Sequence, residues 1–177
     1  QISNQVKIFA NKHLAGELDY KKTHLSFFRH FPSLTVSVDD FLLKGSKPFE
    51  QDTLLAAKDV SVGINLKNSI AMIVGRGLID EIYVNDAVAN VFVNSKGQAN
   101  YNVYVSKPSE KPKDTTEAGA SIKLDLIKLK NWNIKYNDHA ANVLVNAKGL
   151  NYTGKGGLSE DIFDLETDLG IDKLDFA

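Results

Sequence analysis

The chain has 177 residues, 43% of them hydrophobic and 24% charged, which is enough apolar material for a core of its own and excludes global disorder. Lys and Arg number 21 against 22 Asp and Glu, and only Arg29 and Arg76 are arginines, so neither a global field nor a guanidinium set draws the chain to nucleic acid. With no cysteine, thiol catalysis, disulfides and cysteine-held metals are excluded.

In chain order, Ile2 to Leu14 spaces Ile2, Val6, Phe9 or Ala10 and His13 about one helical turn apart, with Gly16 as a stop. This predicts an N-terminal amphipathic helix. Val60, Val62, Ile64 and Leu66 then alternate with polar or small residues, the signature of a half-buried strand. Asn68 to Val74, closed by Gly75 and Gly77, reads as a second short helix. Period two resumes at Ile82 and Val84 and again at Val91 and Val93. Ser106 to Ser121, with Pro108 and Pro112, reads as a long polar loop or linker. Ile122, Leu124 and Leu126 follow, then Ile134 and Tyr136, then Val143 and Val145, and last Phe163, Leu165, Leu169 and Ile171.

The breaks between these runs carry turn chemistry: Asn85-Asp86, Lys96-Gly97, Asn137-Asp138, Lys148-Gly149 and Gly154 to Gly157. Strand, short turn, strand predicts an antiparallel meander, so the expected fold is mainly β. An internal echo accompanies it. Asn85 to Gly97 matches Asn137 to Gly149 at nine of thirteen positions, which either marks a repeat unit or reflects recurring Asn-Asp turns and Val-x-Val strands.

Catalytic and metal patterns are missing. His13, His24, His30 and His139 form no pair at metal-ligand spacing. Gly149 to Lys155 imitates a phosphate loop, but Gly156 stands where Ser or Thr must hold Mg²⁺, and the segment lies between strands. Asp164, Glu166 and Asp168 fail as a calcium loop because Leu169 intervenes before Gly170. Asn151-Tyr152-Thr153 fits a glycosylation sequon, relevant only in a eukaryotic secretory setting. The expectation is a protein that is not an enzyme and has no cofactor, no metal and no nucleic-acid partner.

Several segments resemble, in order, the N-terminal region of AsmA-like proteins of Gram-negative bacteria. They are Phe9 to Leu14, Gly16 to Tyr20, Leu25 to Leu34 with its Phe28-Arg29-His30-Phe31-Pro32, the strand Leu34 to Asp40, and Leu54 to Leu66. Ile73 to Val84, the Asn94-Ser95-Lys96-Gly97-Gln98-Ala99-Asn100-Tyr101 segment and Ile122 to Asp138 continue the likeness. The Lys- and Asn-rich style resembles a Bacteroidota member.

The resemblance covers nearly the whole chain, residues 1–177, read as one N-terminal β region of a longer protein. It implies a curved, open, taco-like sheet, similar to TamB-like and chorein-type bridge proteins. It also implies a periplasmic location, an inner-membrane anchor preceding Gln1, and a role in outer-membrane biogenesis alongside assembly proteins. The implied ligand is phospholipid or another membrane lipid, conducted along a hydrophobic face. On that reading the groove is lined by Val60, Val62, Ile64, Leu66, Ile82, Val84, Val91, Val93, Ile122, Leu124, Leu126, Ile134, Tyr136, Val143 and Val145. Two alternatives stay open: an extracytoplasmic β-sandwich that binds a partner protein and no lipid, and a small-ligand barrel.

Overall fold

The computed structural model describes residues 15–31, 33–65, 78–103, 121–156 and 165–177, with the side chains of 64, 65, 78, 79 and 121–124 left aside. The two expected helices and all of the expected linker except Ser121 lie outside these residues.

Among the described residues nine strands form one sheet: β1 (Leu18–Asp19), β2 (Lys22–His30), β3 (Ser33–Lys44), β4 (Thr53–Asn65), β5 (Leu78–Val93), β6 (Ser121–Asp138), β7 (Val143–Lys155), β8 (Glu166–Gly170) and β9 (Lys173–Phe176). The order is β1-β3-β4-β5-β6-β7-β8, with β2 also on β3 and β9 also on β7. The sheet is open. The mainly β expectation therefore holds.

The pure antiparallel meander is corrected: β5 and β6 pair in parallel, from Leu78↔Ser121 to Val93↔Asp138. A parallel pair needs a long crossover, supplied here by the chain between Val93 and Ser121.

Two expected turns are also corrected. Asn85-Asp86 lies inside the 16-residue β5, and Lys148-Gly149 lies inside β7. What these positions supply is left-handed backbone within a strand. Asp40 in β3, Asp86 in β5 and Asn131 in β6 have φ of 50°, 52° and 54°. Register places Asp40, Lys58, Asp86 and Asn131 in one transverse row across four strands. The Asn131 amide donates to Asp86 Oδ1 at 2.6 Å along that row. Asp and Asn enter this backbone region more readily than other side-chain-bearing residues.

The row is a crease that shifts the alternation by one residue. Val38 is followed three positions later by Phe41, Ala57 by Val60, Val84 by Ala87, and Leu129 by Trp132. In a flat strand a spacing of three puts residues on opposite faces. Here Ala57, Val84 and Ala87 form one buried cluster, with Phe41, Leu55, Val60, Ile82, Leu129 and Trp132 packed against it. In β7 the same step falls at Gly149, with φ of 63°, where a side chain would also collide with Asp172.

The crease also explains the echo. Asn85 to Asn90 is strand, whereas Asn137 to Asn142 ends β6 and turns, with Asp138 Oδ1 accepting from the Ala140 and Ala141 amides at 2.9 Å. The two copies are alike in sequence and different in structure.

The loop after β5 is built by the Asn-x-x-Gly-x-x-Asn segment. Asn94 Oδ1 accepts from the amides of Lys96 and Gln98, and Gly97 takes φ of 76°. Asn100 is 1% exposed, accepting from the Phe92 amide and donating to Asn90 O. Its own carbonyl accepts from Ser46, which ties the β3–β4 loop to β5.

Candidate functional site

The sheet has an apolar front and a polar back. Register assigns Val60, Val62, Ile82 and Val84 to the front above the crease, and Val91, Val93, Ile134, Tyr136, Val143 and Val145 to the front below it. Ile64 registers with Leu34 in the same sense. Leu66 lies outside the described residues, and for Ile122 and Leu124 only backbone is described. Leu126 is placed differently. It registers with Glu81 on the back, and its front positions are taken by Ile127 beside Ile82 and Leu129 beside Val84.

The crease-shifted alternation adds residues that regular period two misses: Phe41, Leu55, Ala57, Ala87, Ala89 and Trp132. The signal was present in the spacing of three, which a strict period-two reading breaks into separate strands. Trp132 closes the centre of the face, its indole N–H donating to Val84 O at 3.0 Å.

Exposure along the front is graded. Val38 and Val84 are 7% exposed; Val60, Val62, Ile82, Ile134 and Val145 are half-buried; Leu174 and Phe176 at the last edge are 59% and 75% exposed. Among the described residues every strand belongs to the one sheet.

The back inverts the usual pattern of burial. Ser33, Thr35 and Ser61 are 0% exposed and Ser37 1%. A ring of polar contacts holds Ser37 and Ser61. Arg29 reaches from β2 and donates to Ser37 Oγ at 3.2 Å; Ser37 and Ser61 hydroxyls meet at 2.7 Å; Ser61 donates to Asp59 at 2.9 Å; Asp59 returns to Arg29 at 2.6 Å. Asn85 adds a bond to Asp59 at 3.3 Å.

Beside this ring, His30 stacks on Tyr83 with centroids 3.7 Å apart. The Tyr83 hydroxyl donates to Glu81, whose side chain folds over Gly63. Burial, reinforced by Glu81, pushes the Tyr83 phenol up to about 12. Burial and Arg29 push His30 below its usual value. Both shifts favour the neutral form.

His24 meets Asp39 at 2.6 Å. Among the described residues no group of three or more His, Asp or Glu is close enough to hold a metal ion, and no helix is long and apolar enough to cross a membrane. No family model, curated protein or solved structure matches the chain.

Proposed function

We propose that the front of the sheet binds the acyl chains of membrane lipid and passes them along an open β face, without catalysis. The observation that carries this reading is the contrast between the faces: the polar back is closed by Arg29 and its partners, while the apolar front, outside its buried central cluster, is only partly covered and ends in Leu174 and Phe176, which are 59% and 75% exposed. An acyl chain gains about 0.8 kcal/mol for each methylene it buries there, with no charge or hydrogen bond required.

The likeness of the ordered segments to AsmA-like proteins supports the same ligand, and with it a periplasmic protein anchored in the inner membrane that serves outer-membrane biogenesis. The competing reading is an extracytoplasmic interaction module whose apolar face meets a partner protein.

Val62→Asp tests the choice, because Val62 is half-buried and a carboxylate there stays hydrated. The expected result is a folded protein that no longer extracts fluorescent phospholipid from vesicles. Unchanged extraction by that variant, or none by the wild type, excludes the lipid reading.

A further inference from the structure

The chain's exposed apolar residues are not scattered. Of eleven exposed large hydrophobics among the described residues, nine belong to the two margins of the sheet, four between Leu25 and Phe31 and five between Leu165 and Phe176. The margins carry opposite charge. From Tyr20 to Phe31 there are three cations and two histidines with no carboxylate, whereas Leu165 to Ala177 has four carboxylates and one lysine.

At the second margin every residue of β8 is exposed, and β8 pairs with β7 alone among the described strands. Among the described residues nothing pairs with its outward backbone groups, the situation that folded proteins normally guard against. Its two faces state what that strand must carry. Thr167 and Leu169 register with Gly154 and Tyr152 on the front; Glu166 and Asp168 register with Lys155 and Thr153 on the back.

We propose that β8 accepts a strand from a second polypeptide in which apolar residues alternate with basic ones, extending the sheet by backbone pairing. The apolar set continues the front beside Leu169, and the basic set meets Glu166 and Asp168. Charge complementarity on one face and apolar continuity on the other fix the register, since a slip of one residue would place cations against Leu169. The assignment does not depend on what the front binds. The chain's own β2 shows the required chemistry, with Lys22 and His24 on the back and Leu25 on the front, and so supplies the probe.

A labelled peptide with the sequence of Lys21 to Phe28 is titrated into the full chain by fluorescence anisotropy. A control peptide carries glutamate in place of both lysines and the histidine. Amide hydrogen exchange locates the binding. The expected result is at least tenfold tighter binding of the basic peptide, with new protection at Glu166 to Gly170. In the double variant Glu166→Lys, Asp168→Lys the preference should reverse toward the acidic peptide. Should that variant lose its fold, the two peptides and the exchange map on the wild type still decide. Equal affinity for both peptides, protection elsewhere, or no binding at millimolar peptide overturns the proposal.

Discussion

On the back of β3 and β4, Ser33, Thr35, Ser37 and Ser61 are 0–1% exposed, while on the front of β4 and β5 Val60, Val62 and Ile82 are only partly buried. Hydrophobicity alone would order these the other way. The back is closed because its side chains are small and because Arg29 reaches across β3 to Asp59, so each buried hydroxyl in the ring finds a partner and the desolvation cost is offset. Among the described residues no second layer lies on the front. The difference teaches that this sheet carries a closed polar seam on one face and a partly exposed apolar surface around a small buried cluster on the other.

The comparison breaks most sharply between two carboxylates placed on the same face. Ala87 is 1% exposed and Val62 is half-buried. Ala87→Asp strands a charge in the central cluster and should cost at least about 3 kcal/mol, enough to unfold a marginal domain. Val62→Asp should cost under about 1.5 kcal/mol. Urea unfolding followed by circular dichroism gives both values, and equal costs would mean that the front is a closed core.

Removing the seam comes next. Asp59→Ala leaves Arg29, Ser61 and Asn85 without their acceptor and should lower stability by about 2–3 kcal/mol. Lipid extraction by the surviving folded fraction should be unchanged, because Asp59 is on the other face.

The crease has a smaller effect. Asp86→Val puts a β-branched side chain at φ of 52° and should cost about 1–3 kcal/mol, whereas Asp86→Gly should cost less than 1 kcal/mol by rough reckoning. Equal losses would show that the Asn131 bond, and not the backbone, is what matters at this position.

The smallest effect is on pH. His30 has its pKa lowered, so its contribution is complete above about 6.5 and is lost as pH falls through the folded value. Tyr83 has its pKa raised to about 12, so its contribution is complete below 10 and is lost as pH rises toward 12. Melting temperature should fall on both sides, and Tyr83→Phe should remove most of the alkaline limb.

Much of the sheet was legible in the residues. Val60 to Ile64, Val143 with Val145, and the turn at Lys96-Gly97 follow from period two and from glycine at positive φ. Asn85-Asp86 misled because the left-handed tolerance that makes a turn also makes a crease inside a strand, and local sequence does not separate the two. The spacing of three at Val38–Phe41, Ala57–Val60, Val84–Ala87 and Leu129–Trp132 is visible in hindsight, since it recurs in four strands at one level. The parallel β5–β6 pair was hidden, because a pairing across so long a connection leaves no local mark. The seam was hidden for a similar reason: Arg29, Ser37, Ser61 and Asp59 are brought together only by the ladder.

The most direct test places a photo-crosslinking residue at Val62 on the front or at Lys135 on the back, each in the full chain exposed to phospholipid vesicles, with adducts read by mass spectrometry. Lys135 registers with Asn90 and Asn146, opposite in sense to the front residue Ile134. Phospholipid adducts at Val62 and none at Lys135 are the predicted result. Equal capture at both positions, or no lipid at either, would contradict an open lipid-binding face.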